Sequence, residues 1–212
     1  LEAFGNPINV ALGLAVFFLS RVLAILYFNS TINDVIIRER NKKHLLINSV
    51  LFLIFFLAFV IAIWLIDGYA YNPATGEIFT EPHKYFYNNI EHALTGILFL
   101  LGVLMVLLGL FRGNTCYKSC SGKALYPVGI GTFLTVLSLF CNLGYNNTVF
   151  YPSLSSMQSG LTIEKASSSQ FTLTVMSYVS LLVPFVLAYI IYAWHALNKK
   201  KIDVDEMNDG SH

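Results

Sequence analysis

The sequence has 212 residues, of which 56% are hydrophobic and 12% charged. Soluble domains carry about 25% charged residues, so composition excludes a water-soluble globular protein. The net charge of +1, with basic residues gathered in short connections rather than in one stripe, excludes nucleic acid as a partner and makes the basic clusters topology markers.

Taken in chain order, the sequence begins at Leu1 with no basic segment or small-residue cleavage site ahead of its first apolar run, so no signal peptide is expected in it. That run, about residues 8–28, opens after Gly5-Asn6-Pro7 and is broken by Asn9, Ser20 and Arg21. At about 1.5 Å of rise per residue it is long enough to cross a hydrocarbon core of roughly 30 Å. Residues 38–44, RERNKKH, read as a basic turn on the cytoplasmic side, followed by a second run over residues 45–66. Residues 67–92 are polar, with turn formers at Asn72-Pro73 and Thr75-Gly76 and aromatics suited to the headgroup region, and read as an outer connection. A third run covers residues 93–111, a short basic connection residues 112–123, and a fourth run residues 125–145. A Ser-rich outer segment then leads to a fifth run over residues 170–195, for which Ser167 is the expected cap and Gln170 its capping-box partner. Pro184 near the middle predicts a kink held by neighbouring helices, and Trp194, His195 and Lys199 to Lys201 mark a cytoplasmic exit. The expected fold is all-α: one polytopic transmembrane bundle of five helices over residues 1–212, with the N-terminus outside and the C-terminus in the cytoplasm.

Ionisable residues inside or beside the spans are the natural functional candidates, because a charge in hydrocarbon is costly and needs a partner or a path. Arg21 lies about seven residues, or roughly 10 Å, from the inner end of its run, and is expected to snorkel to the inner interface or to pair structurally. Its alternative role is in a proton or quinone-head site. Asp67 and Glu91 bracket the outer connection, with Lys84 between them; they suit either a proton exit or water-facing helix ends. His92 stands beside Glu91 without a nucleophile pattern. Cys116 and Cys120 form a C-x3-C pair with no further ligands for a zinc site, and Cys141 is expected to pack within the fourth crossing. No residue is therefore assigned a catalytic, cofactor-binding or metal role. Gly96, Gly102, Gly109, Gly129 and Gly131 suit close helix contact, Gly102 and Gly109 standing one heptad apart. The sequons at Asn29 and Asn146 are chance-level matches.

The histidines do not converge on a heme. His92 begins the third run and His195 ends the fifth, so roughly 30 Å of hydrocarbon separates them. His44 and His195 share a side but sit at the interface beside lysines, and a His92–Met176 pair is the one remaining geometry.

The terminal block, FYPS at residues 150–153, SSQFTLTVM at residues 168–176 and LVP at residues 182–184, resembles the C-terminal end of subunit II of cytochrome bd-type quinol oxidases. IDGY at residues 66–69 is similar to that family's segment at the outer end of an earlier helix, and the spacing of the other runs fits the second half of a subunit II. The resemblance implies a membrane quinol:oxygen oxidoreductase of the respiratory chain that draws its chemical protons from the cytoplasm. It implies that hemes b and d, or b alone, belong to a heme-bearing subunit I. This chain would be its heme-free partner in a bacterial inner membrane, able to hold quinone or lipid between helices, with a small extra subunit allowed. The chain departs from the pattern by lacking the first four-helix bundle, so no proton- or oxygen-path residue is carried over. The alternative is a helical transporter or scaffold subunit, for which broken helices and midplane polar residues would be the sign.

Overall fold

The computed structural model describes residues 5–32, 34–115, 122–153 and 155–197. Cys116, Cys120 and Lys199 to Lys201, singled out from the sequence, lie outside the described residues. Five stretches of helix are long and apolar enough to cross a membrane: Pro7–Thr31, Val35–Leu65, Ala93–Thr115, Leu125–Gly144 and Gln170–Leu197.

Helix α1, Pro7–Thr31, starts where Asn6 accepts the Ile8 amide at 3.0 Å and Pro7 fills the first turn, where a missing N–H costs nothing. Helix α2, Val35–Leu65, has 31 residues and is capped by Asp34, which accepts the Ile36 amide at 2.7 Å. The basic stretch at residues 38–44 is therefore not a turn. It forms the first turns of α2, because Asp34 satisfies the N-terminal amides and arginine, lysine and glutamate are good helix formers. At about 1.5 Å per residue α2 is roughly 46 Å long, so its basic end projects past the hydrocarbon. Asn41 donates to Asn29 at 2.8 Å across the α1–α2 hairpin and sets its register.

The polar connection after α2 is ordered rather than a plain loop. Strands β1, Gly68–Tyr71, and β2, Ile78–Glu81, pair antiparallel with Gly68 opposite Glu81 and Tyr71 opposite Ile78. The turn falls at the predicted residues: Asn72 accepts the Ala74 amide through its side chain, and Gly76 takes a φ of 71°. Helix α3, Lys84–Glu91, leads into α4, Ala93–Thr115, and a 3-10 turn at Gly122–Ala124 precedes α5, Leu125–Gly144.

The α4–α5 hairpin is packed backbone to backbone. A Cβ on Gly102 would stand 2.5 Å from Thr135 Oγ1 and 2.8 Å from the Gly131 carbonyl, and one on Gly131 would stand 2.6 Å from the Gly102 carbonyl. Gly109 meets Val128 in the same way, whereas Gly129 has nothing within 4 Å and takes no part.

After α5, Asn146 and Asn147 both adopt positive φ, 59° and 54°, and turn the chain so that Thr148 bridges Ala70. Gln158 clamps β2 by accepting the Ile78 amide at 3.0 Å and donating to the Ile78 carbonyl at 2.8 Å. Together with a Tyr151–Leu161 bridge these bonds make a cap over one end of the bundle, the end opposite the basic turns of α2.

Helix α6, Ile163–Ala166, is one short turn, and α7, Gln170–Ser180, is capped by Ser169, not by Ser167. Ser167 instead donates to the Ile163 carbonyl at 2.6 Å and closes α6. Helix α8, Val183–Leu197, follows a two-residue break at Leu181 and Leu182, where the amides bond three residues back to Tyr178 and Val179. Pro184 has no N–H to offer Ser180, which is why the helix breaks there. The expected neighbours around the kink are not found among the described residues: neither α7 nor α8 buries a residue. An edge-on ring contact of 5.6 Å between Trp194 and Tyr27 ties this helix to α1. The core belongs to α1, α2, α4 and α5, with one cluster around Val22, Leu26, Leu45 and Val128 and a second around Phe59, Val60 and Phe99 nearer the cap.

Candidate functional site

Two features of the four-helix body are built well enough to bear function: a cavity at mid-span and a polar network under the cap. The cavity, of about 220 Å³, lies where all four helices meet and is lined by residues such as Ala15, Phe52, Phe56, Val106, Thr135 and Leu139. Its two threonines do not make it polar. Thr132 donates to the Val128 carbonyl at 2.7 Å and Thr135 to the Gly131 carbonyl at 2.8 Å, so both hydroxyls are spent within α5. The wall therefore accepts hydrocarbon, and the volume falls below the roughly 300 Å³ at which drug-sized ligand pockets begin.

The network under the cap centres on Asn88, 2% exposed, on α3. Its amide donates to Thr148 Oγ1 at 2.7 Å and to the Asn142 carbonyl at 3.2 Å, and its Oδ1 accepts from Asn146 at 2.9 Å. Asn142 donates to the Tyr85 carbonyl at 3.0 Å, and one turn deeper Ser138 donates to the Thr95 carbonyl at 2.8 Å. Asn142 Oδ1 is buried and accepts no hydrogen bond from the described residues. Buried amides of this kind tie α3, α4, α5 and the segment after α5 into one block, since each would cost free energy if left unpaired. The sequence contained a signal for this network that was passed over: Thr135, Ser138 and Asn142 recur at helical spacing on one face of an otherwise apolar helix.

Of the three residues singled out from the sequence, Glu91 alone enters this network, accepting a hydrogen bond from Asn146 Nδ2. Asp67 is exposed between α2 and β1. Arg21 is exposed on α1, and its guanidinium does not reach toward the nearer helix end as a snorkelling side chain would: it lies 5.7 Å from the centre of the Phe17 ring, one turn further into the span. The reason is geometric, since helical side chains lean toward the N-terminus. Lys84 pairs with neither Asp67 nor Glu91. It is 7% exposed, bonds Glu81 at 2.9 Å, and packs its stem so tightly under Gly68 that a Cβ there would stand 2.5 Å from Lys84 Cβ.

Burial raises the pKa of Tyr85, and the neighbouring Tyr69 raises it further, against the lowering effect of a hydrogen bond with the Tyr69 backbone. The phenol is therefore held neutral inside the cap.

The histidines fall at opposite ends of the bundle. His83 caps α3 in a left-handed conformation and pairs its Nδ1 with the Trp64 carbonyl at 3.0 Å, while His92 is exposed with its ring 6.4 Å from that of Tyr145. His44 lies in the basic turns of α2 and His195 in the last turn of α8. Met176, the possible second ligand for His92, is 66% exposed on a helix that buries nothing. Among the described residues no three His, Cys, Asp or Glu side chains gather. The cavity is lined by aliphatic, aromatic and threonine residues and offers no axial ligand for a heme.

Apolar helices paired as hairpins, an ordered cap and an apolar mid-span cavity define a multi-pass membrane protein. A family model for cytochrome bd terminal oxidase subunit II matches residues 1–197. The chain belongs to that family, and so to a heme-containing respiratory quinol oxidase complex in which it has a partner subunit. A comparison with curated proteins finds no match.

Proposed function

We propose that this chain is the heme-free subunit of its oxidase and supports a heme-bearing subunit I, on which the catalytic centre lies. The hemes, b and d or b alone, supply the electron-transfer and oxygen chemistry when bound there. The observation that carries this reading is the placement of the described histidines within a chain of this family: two at the cap end and two at the basic end, with an apolar cavity lined by no axial ligand between. What the chain's own residues offer is scaffold, namely a glycine seam, a cap locked by buried amides, and a cavity suited to the apolar tail of a quinone or a lipid chain.

The chain is read as one membrane domain, the C-terminal bundle of a longer subunit II, in a bacterial inner membrane. The cap end faces outward and the basic end of α2 faces the cytoplasm, because arginine and lysine concentrate on the cytoplasmic side of short connections. Expression of the chain without its partner in heme-replete cells tests the main reading. A protein without a Soret band is expected; a stoichiometric Soret band that disappears on His92→Ala overturns it. Orientation is tested separately in intact cells, where a probe unable to cross the membrane is expected to label Thr80→Cys and spare Lys42→Cys.

A further inference from the structure

Helix α2 carries an apolar and basic surface out of the membrane. Residues 45–65 already span about 30 Å, so residues 35–44 take the helix roughly 15 Å further, past a headgroup layer of about 5–8 Å. There Val35 and Ile36 are 70% and 63% exposed. Arg40 and Lys43 follow Ile36 by four and seven residues, so the three share one side of the helix, and both basic residues are exposed. Headgroups do not extend as far as Val35 and Ile36, so the fitting cover is a stretch of polypeptide.

Neighbouring carboxylates do not neutralise this surface. Arg38 is turned back onto the Ile32 carbonyl at 3.2 Å, Asp34 is spent on the first amides of α2, and Glu39 holds neither Arg40 nor Lys43 in an ion pair. At this end of the bundle the described residues set Arg38, Arg40, Lys42, Lys43, Arg112 and Lys123 against Asp34 and Glu39 alone. The other described carboxylates, from Asp67 to Glu164, lie toward the cap.

The terminal helix delivers a matching segment to the same place. Helix α8 runs from the cap side toward the basic end, and the Trp194–Tyr27 contact puts its last turn beside α1. The chain then passes through Lys199 to Lys201 into residues 202–209, IDVDEMND, which lie outside the described residues. That stretch carries the carboxylates Asp203, Asp205, Glu206 and Asp209 and the apolar side chains Ile202, Val204 and Met207. Extended chain gains about 3.5 Å per residue, so Ile202 can stand about 17 Å from Leu197, and neighbouring helices pack roughly 8–10 Å apart. The segment can therefore pass α1 and reach the exposed side of α2. Exposed ion pairs are weak one by one, but the tether at Leu197 keeps the segment at an effective concentration on the order of millimolar, where several weak contacts together suffice.

We propose that residues 202–209 fold back over the projecting turns of α2, with their carboxylates on Arg40 and Lys43 and their apolar side chains on Val35 and Ile36. The strap fastens the terminal helix, which buries nothing of its own, to the α1–α2 hairpin at the basic end. It requires only that segment and surface share one side of the membrane, and it is independent of where the hemes lie.

A photo-reactive benzoylphenylalanine at Ile36, and in a separate sample at Val35, tests the contact in the whole complex in its native membrane. The expected adduct joins either position to residues 202–209 of the same chain, so the product keeps the mass of a single copy. Asp203→Asn, Asp205→Asn, Glu206→Gln and Asp209→Asn together neutralise the segment while leaving the α2 surface and the basic topology signals intact. This variant is expected to lower the adduct yield about fivefold or more, as is about 1 M salt, which screens charges beyond roughly 3 Å. Adducts mainly with lipid, with residues 116–121, with a second copy or with another polypeptide overturn the proposal, as does the failure of both positions to give an adduct. An undiminished yield from the neutralised segment overturns it as well.

Discussion

The α4–α5 hairpin and the α7–α8 helix are both apolar enough to enter a membrane, yet they stand at opposite extremes of packing. In the hairpin, Gly102 and Gly131 bring two backbones into contact, and a single added carbon would collide. In the terminal helix, Phe185 and Tyr189 are 72% and 71% exposed, and no residue is buried. Hydrophobicity decides that a segment enters the bilayer, whereas side-chain size at the contact decides what it packs against. The terminal helix is finished for insertion and unfinished for packing.

The sharpest way to break this contrast is to overfill the seam. Gly102→Leu and Gly131→Leu are each expected to destabilise the chain by about 3 kcal/mol, since neither facing backbone can retreat. Val179→Leu in the terminal helix is expected to cost less than about 0.5 kcal/mol. Thermal unfolding of the isolated chain in lipid nanodiscs measures both, and equal effects would end the distinction. Next in size is the cap: Asn88→Ala leaves the Thr148 hydroxyl and the Asn142 carbonyl without their donor, and is expected to cost about 1–3 kcal/mol.

A smaller effect follows from Tyr85. Its folded pKa is raised, so the folded chain keeps a proton that the unfolded chain loses above about pH 10. The contribution is intact below that pH and is lost as pH rises toward the folded value. Tyr85→Phe is therefore expected to flatten the fall in unfolding temperature between neutral pH and the alkaline range, and an unchanged fall would assign it to other groups. Smallest in the isolated chain is Pro184→Ala, which is expected to rejoin α7 and α8 and lengthen the distance between spin labels at Thr174 and Ile190. Because α8 buries nothing by itself, the change should register in recovery of the complex more than in the chain's own stability.

The five crossings were legible because each is a long apolar run, and the hairpin turn because Asn72, Pro73 and Gly76 are turn chemistry. The start of α2 was misread because a helix that leaves the membrane becomes charged without ceasing to be a helix; Asp34, two residues before the exposed Ile36, was the available sign. The strands of the cap have four residues each, too few for alternation to declare itself. The Asn88 network was half legible: the polar stripe on α5 marked one face of it, but its bonds join residues more than 50 positions apart, and no local pattern names the partners. The direction of Arg21 was inferred from distance to the nearer end rather than from the lean of helical side chains.

The clamp of Gln158 on Ile78 spans 80 residues of sequence, whereas each pair of helices beneath it closes over a short connection. During synthesis the two hairpins can therefore form as they emerge, while the cap must wait until the chain has crossed the membrane four times and delivered Gln158 to the correct side. The small sheet is therefore a check on complete insertion of the hairpin between them: Ile78 and Gln158 are separated by two crossings, so failure of α4 or α5 alone to cross would leave them on opposite faces, and the clamp could not form.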